Sequence, residues 1–343
     1  LECAVHWYVI EMTNFLIWLG NHSLTGQRSL EDVVEIWGQQ MRALGHDVVW
    51  DTKNEKFLAR ESGINVIVEG FTDAAINAIA EAHGNGARFI CLATEEPTDR
   101  GFNHGKDREM IFRQQNFAHA GKYFEAIFHL VPGDHITRFY SQFAPSSYVE
   151  LGYAAALCRP SVQEPTYNFG FFGSLTRRRE KILRRLARHI GTEKAVKIES
   201  SFPAREERDK TMRDARVIVQ LRKYEEMGLV SSSRCNTALH LGRPVVCEPH
   251  LLADKWKDIV RFSQFCPACA ISQKKLSRND FCEDCVGIFL DNALMVQTMW
   301  KSIHNTQFVN FRERLTPEYC VGRALKETKL DLSAQKPYIA MAS

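Results

Sequence analysis

A chain of 343 residues exceeds what one ordinary hydrophobic core sustains and implies two domains of usual size. Its 45% hydrophobic and 25% charged residues exclude a disordered or fibrous protein. A formal net charge of only +3 excludes any general argument for nucleic-acid or membrane-surface binding and leaves local basic patches as the route to either. No run approaches the roughly 20 apolar residues that a bilayer crossing needs. The opening LECAVHWYVIEM has no basic stretch and no small-residue cleavage site, so a cytoplasmic location is expected. The 10 cysteines suit reduced thiols better than a secreted disulfide framework, since Cys91 and Cys247 stand inside apparent strands.

The first strand is FLIWLG, residues 15–20. A polar loop follows, then a helix expected to open at Ser29, with Glu31 and Asp32 in its first turn, an apolar face of Val33, Ile36, Trp37 and Met41, and Gly45 to end it. Strands are expected at DVVWD (47–51), NVIVEGF (65–71), RFICLATE (88–95), FEAIFHLV (124–131) and SSYVELGY (146–153), with helices at DAAINAIAEAH and around REMIFRQQNFAHAG. CRPSVQEPT (158–166) holds two prolines and little periodicity, and reads as a linker. The alternation then resumes: NFGFFGSL, the basic helix RRREKILRRLARHI, AVKIES, a helix with EERDKTMRDA, ARVIVQL, a helix through CNTALHLG, RPVVCE and DIVRFS. One long helix is expected over GIFLDNALMVQTMWKSIH and a last one over FRERLTPEYCVGRALKE. The expected fold is α/β: two Rossmann-like domains, 1–157 and 168–343, joined by a linker at 158–167.

Ligands of open parallel sheets bind beyond the carboxyl ends of the strands, and a cleft between two such sheets offers one substrate to each half. In FFGSLTRRR, Gly173 allows close backbone approach, Ser174 and Thr176 offer hydroxyls, and the following helix start favours an anion such as a diphosphate. Neither GxGxxG nor GxxxxGK[ST] accompanies it. A glycine turn before a solvated basic face accounts equally well for Arg177, Arg178 and Arg179. A second anion signal follows ARVIVQL: Arg222 and Lys223 stand just beyond a strand, and Ser232, Ser233 and Arg234 open a helix. Helix capping by serine beside a surface arginine is the plainer reading.

FGFFGSLTRRREKIL, RDARVIVQLRKYE, SSSRCNTALHLGRPVVCE and FRERLTPEYCVGRAL together resemble the carboxyl-terminal half of GT-B glycosyltransferases, nearest to bacterial and phage members of the group that includes CgeB-like and group 1-like enzymes. The resemblance spans residues 168–325, with a weaker match in element order from FLIWLG to ELGY. It implies a carboxyl-terminal domain that binds a nucleotide-sugar, an amino-terminal domain that binds the acceptor, and transfer to a hydroxyl between them. Carried over, Gly173 and Ser174 lie beside the donor phosphates, and Arg222, Lys223, Ser232, Ser233, Arg234 and Asn236 hold the diphosphate or nearby groups. Many retaining relatives carry two Glu separated by seven residues, but here Arg234 stands eight positions after Glu226 and Ser233 eight after Glu225. That leaves stereochemistry and ribose recognition open.

In the first half, the loop GNHSLTG brings Gly20, Asn21 and Gly26 within reach of a donor diphosphate and offers His22 as a base, its usual pKa lying near neutrality. Glu69, Glu95 and Glu96 follow strands at the edge where acceptor hydroxyls arrive, and Glu69 or Glu95 is a further candidate base. Polar surface is the plainer reading of each. No DxD pair occupies a plausible donor loop, so a reaction that needs no catalytic metal is expected.

Cys266, Cys269, Cys282 and Cys285 form two CxxC pairs twelve residues apart. Four thiolates at such spacing can close a tetrahedral zinc shell, making 266–285 a small structural zinc insert with no open catalytic position. The alternative leaves Cys282 and Cys285 as small apolar residues of the next helix. Competing functions are a nucleic-acid-binding protein using the insert and RRREKILRRLARH, a transferase acting on hydroxymethylated bases of DNA, and a sensor without turnover.

Overall fold

The computed structural model describes residues 13–19, 22–51, 63–69, 71–105, 108–160, 164–192, 194–223, 231–249, 254–272 and 281–332. Its strands form two sheets, and every pairing is parallel. The first comprises β1 (Asn14–Trp18), β2 (Asp47–Asp51), β3 (Ile64–Val68), β4 (Arg88–Ala93), β5 (Ala126–His129) and β6 (Ser146–Tyr148), in the order β2-β1-β3-β4-β5-β6. The second comprises β7 (Tyr167–Phe172), β8 (Val196–Glu199), β9 (Ala215–Gln220), β10 (Val245–Cys247) and β11 (Arg261–Phe262), in the order β11-β10-β9-β7-β8. β3 is buried along its whole length, as parallel strands covered on both faces must be. Its one polar residue, Asn65, is satisfied on both sides: Oδ1 accepts from Trp18 Nε1 at 3.0 Å and Nδ2 donates to the Arg88 carbonyl at 3.0 Å.

The helices are α1 (Leu24–Ala43), α2 (Asp73–Gly84), α3 (Arg108–Ala120), α4 (Asp134–Tyr140), α5 (Arg177–Ile190), α6 (Arg205–Arg213), α7 (Ser232–His240), α8 (Pro267–Ser272), α9 (Glu283–Thr298), α10 (Trp300–Arg314) and α11 (Arg323–Thr328). α1 begins a full turn before the expected Ser29, whose hydroxyl instead donates back to the Gly26 carbonyl at 2.7 Å. The expected long helix is two, parted at Met299, where the backbone leaves helical geometry (φ −109°, ψ 23°).

The two compact units interleave along the sequence. One holds the chain up to Ser23, Gly38–Val149 and the chain from Cys320; the other holds Leu24–Trp37 and Glu150–Tyr319. α11 lies in the first unit, with Ala324 and Leu325 buried and the Arg323 guanidinium donating to the Tyr148 carbonyl at 3.0 Å. In the second unit Ile182, Leu183 and Leu186 of α5 pack with Phe169 and Phe171 of β7, Val217 and Val219 of β9, and Phe289 and Ala293 of α9. α5 is bounded as its sequence dictates: the Thr176 hydroxyl accepts from Arg179 N at 3.3 Å, and Gly191 closes it in the left-handed region (φ 68°). No helix among the described residues is long and apolar enough to cross a membrane.

Candidate functional site

In the second unit the carboxyl ends of β7 and β8 lie beside α1, α6 and the start of α7. A cavity of about 140 Å³ opens there, lined by Arg28, Asp32, Gly173, Arg208, Ser233 and Arg234 among others. Gly173 is required by geometry: its φ is 120°, and a Cβ there would stand 2.6 Å from Arg234 Nη2. Arg234 is half-buried, donates to the Gln220 side chain at the end of β9, and has its guanidinium carbon 5.8 Å from the centre of the Phe171 ring. No side chain caps α7 at Ser231, so the positive end of that helix borders the same cavity, with Ser231 and Ser233 on its wall.

Gly173, Ser233 and Arg234 line this cavity; Ser174, Ser232, Arg222, Lys223 and Asn236 do not. Asn236 is fully buried one turn into α7. Gly20 and Asn21 lie outside the described residues, as do Glu225 and Glu226. Arg178 and Arg179 are not a solvated face. Both are buried, at 1% and 5% exposure, which makes them scaffold rather than ligand contacts. Arg178 grips Glu248 with both terminal nitrogens, at 3.0 and 2.5 Å, and Glu248 also accepts from the Arg222 backbone N–H at 2.7 Å. Burial alone would raise the Glu248 pKa, but Arg178 and Arg222 overcome it and hold the carboxyl below its ordinary value. Arg179 donates to the Leu221 carbonyl at 2.7 Å and the Ser174 carbonyl at 2.9 Å. The two arginines thus fix the loops after β7 and β9 from beneath.

Sequence reasoning missed Arg28, Asp32 and Arg208. Arg208 pairs with Asp32 at 2.6 Å; burial pushes the Asp32 carboxyl upward and Arg208 opposes it. Arg208 sits in EERDK, a run indistinguishable by pattern from a solvated helix face. Phe202, another wall residue, has φ 51°, an uncommon left-handed backbone for an aromatic residue.

The first unit brings His22, Glu69 and Glu95 into one neighbourhood. His22 Nε2 lies 3.2 Å from the carbonyl of Val68, the last residue of β3 and the one before Glu69. Burial lowers the His22 pKa, and Arg113 adds to that. Glu69 is buried (1% exposed) and accepts from the Thr94 hydroxyl, while its Oε2 has no hydrogen-bond partner among the described residues. Burial, reinforced by the charge of Glu95, pushes its pKa up to about 8. Glu95 pairs with Arg113 at 2.8 Å and accepts from the Asn103 amide. The Glu96 backbone N–H donates to Asn103 Oδ1 at 3.2 Å. One carboxyl is therefore poised near neutrality beside a second that is held by a cation.

The four cysteines converge. Their sulfurs lie within 4.8 Å of one another, with Cys266 and Cys282 Sγ 3.6 Å apart. A tetrahedral ion with metal–sulfur bonds of about 2.3 Å separates its sulfurs by about 3.8 Å, so the set fits such a site. Backbone N–H groups already point at the sulfurs, Cys266 N at Cys285 Sγ (3.3 Å) and Cys269 N at Cys266 Sγ (3.5 Å).

Two parallel α/β sheets with strand-end sites define the GT-B architecture, and the solved structures of that fold agree. The chain is similar to an alpha-glucosyltransferase in complex with UDP and a 13-mer DNA with a central A:G mismatch, at TM-score 0.55 and 10% identity, covering 93% of this chain and 100% of that one. It is similar to T4 phage BGT in complex with its UDP-glucose substrate, at TM-score 0.52 and 8% identity over the same shares of both chains. The third is Anabaena Alr3699/HepE in complex with UDP, at TM-score 0.51 and 10% identity, again over 93% and 100%. No protein-family model matches the sequence, and no curated protein matches it. The fold is GT-B.

Proposed function

We propose that the protein is a glycosyltransferase that moves a sugar from a UDP-sugar to a hydroxyl acceptor. The observation that carries this reading is the cavity at the carboxyl ends of β7 and β8, where Gly173 makes room for Arg234 and where Arg28, Arg208 and Arg234 outnumber the carboxylates of Asp32 and Glu199. The three similar structures hold UDP or UDP-glucose, which favours uridine among the nucleotides. In the reaction the acceptor oxygen bonds to the anomeric carbon, the bond from that carbon to the diphosphate breaks, and UDP leaves with the electron pair. Arg234, with Arg208 and the α7 amides, stabilises the charge that grows on the leaving diphosphate. Glu69 takes the acceptor proton: with its pKa near 8 it is a strong base with a useful ionised fraction at neutral pH. Glu95 and His22 position it, and Arg222 and Lys223 hold the loop that carries the diphosphate contacts. No step requires a catalytic metal.

Cys266, Cys269, Cys282 and Cys285 would hold one structural zinc, which ties α8 to the start of α9 and leaves no position for substrate. Reduced thiols of this kind fit a cytoplasmic location. A hydroxymethylated DNA base is the second reading of the acceptor, favoured by the basic face of α5.

Calorimetric titration with UDP, GDP and dTDP tests the donor reading. UDP should bind, and Arg234→Ala should weaken it at least tenfold; failure of every nucleotide to bind the wild-type chain would overturn it. Metal analysis of the purified protein should return about one zinc per chain.

A further inference from the structure

The outer face of α5 bears a stripe of charge that the donor site does not use. Lys181, Arg184, Arg185 and Arg188 recur at intervals of three, one and three residues, the spacing that places side chains on one side of a helix. They sit opposite Ile182, Leu183 and Leu186, which face the core. With His189, Phe281 and Glu283 they line an open groove of about 770 Å³ beside the start of α9. Arg184 is 74% exposed, and the Arg185 guanidinium carbon lies 5.9 Å from the centre of the Phe281 ring. Among the described residues two carboxylates answer these four cations: Glu180 pairs with Arg184 at 2.6 Å, and Glu283 pairs with Arg185. Lys181 and Arg188 have no ion-pair partner among the described residues, so the described lining of the groove carries an excess of positive charge.

We infer that this groove docks the phosphate backbone of duplex nucleic acid. The stripe from Lys181 to Arg188 is about 10 Å long at ~1.5 Å per residue. Laid along the duplex axis, that length spans about three phosphates of one strand at ~3.4 Å of axial rise each. Guanidinium groups match phosphate oxygens in pairs, and contacts of this kind position a duplex without reading its sequence. A membrane surface is the weaker match, because it calls for several exposed apolar residues beside the cations, whereas those of α5 are turned inward and the groove adds the half-buried Phe281 and the buried Leu290. The inference rests on the second reading of the acceptor only in its biological purpose; the docking itself is independent of sugar transfer.

The test is fluorescence anisotropy of a labelled 20-base-pair duplex with the full chain and with Lys181→Glu/Arg184→Glu/Arg188→Glu, across a salt series, alongside UDP titration of both. The wild-type chain should bind with log K falling by about 0.9 per decade of salt for each phosphate contacted, giving a slope near −3. The triple variant should lose at least tenfold in affinity and most of that slope, with UDP affinity unchanged. Should the triple variant lose UDP binding too, the milder Arg184→Gln/Arg188→Gln is read on the same two axes and should still lose at least threefold. Duplex affinity equal in wild type and variant, no duplex binding by the wild-type chain, or binding of phosphatidylserine vesicles in its place would overturn the inference. Duplex binding without UDP binding would leave this surface standing and remove the donor reading instead.

Discussion

Gly173→Ala isolates the proposed donor site from the scaffold beneath it. The substitution does two things that the geometry separates. It places an L side chain at φ 120°, a backbone strain of about 1–3 kcal/mol. It also sets a methyl 2.6 Å from Arg234 Nη2, the mobile end of a long side chain. The guanidinium therefore moves rather than the sheet, and the folded state survives with reduced stability. A charge-assisted hydrogen bond from Arg234 to the leaving diphosphate is worth roughly 1.5–3 kcal/mol. Its loss corresponds to a Kd for UDP raised about 10- to 100-fold. Calorimetry on Gly173→Ala, Arg234→Ala and the double variant reads this directly: the two single losses should be similar, and the double should be far less than their product. Gly170→Ala is the control. Its Cβ would meet Ala215 Cβ at 2.9 Å inside the second sheet, so it should cost about 1–3 kcal/mol of stability and leave UDP affinity of the folded protein unchanged. Full additivity of Gly173→Ala and Arg234→Ala, or wild-type UDP affinity in Gly173→Ala, would refute the assignment of Gly173 as the space that Arg234 occupies.

Three further outcomes are expected. Because the Glu69 pKa is raised from 4.5 to about 8, the stabilising protonated form is fully present below pH 4.5 and is lost as pH rises through 8. Glu69→Gln should therefore melt higher than wild type at pH 8.5, little differently at pH 5, and transfer sugar at least 100-fold more slowly; an unchanged rate would remove Glu69 as the base. Removing either partner of the buried Arg178–Glu248 pair should cost about 3–5 kcal/mol in urea denaturation, whereas Arg178→Met/Glu248→Leu should come far closer to wild type. Single losses under 1 kcal/mol would show that the pair does not hold the strand-end loops. His240 is 2% exposed, accepts from the Ala154 N–H at 3.0 Å through Nε2, and is stacked 5.8 Å from Tyr153. Burial lowers its pKa from 6.5 to about 4, so its contribution is complete above pH 6.5 and falls away as pH drops through 4, a loss of about 3 kcal/mol. Urea midpoints at pH 7 and pH 4 should show that loss in the wild-type chain and much less of it in His240→Gln.

The inner strands β3, β4, β5 and β9 were legible because each is a short run rich in Val, Ile, Phe or Cys and buried almost throughout, and such runs have few alternatives. Gly173, Ser233 and Arg234 were legible too, since a glycine ending a strand and a polar start to a helix are local signals with local causes. The arginines were another matter. RRREKILRR shows charge but not destination: Arg178 is buried because Glu248, 70 residues later, receives it, and Arg179 because the Leu221 carbonyl does. Arg184 and Arg188, further along the same helix, stay in solvent, where Arg184 pairs with Glu180 and Arg188 donates to the Arg184 carbonyl of their own helix. Arg208 reached the cavity for an equally distant reason, the carboxylate of Asp32 on α1. A guanidinium is soluble enough for the surface and rich enough in donors for the interior, so its role is decided by whether the fold delivers an acceptor to it. That is a property of topology, and it is why one basic helix buries its first arginines beneath the loops after β7 and β9 and leaves the later ones as an open cationic face.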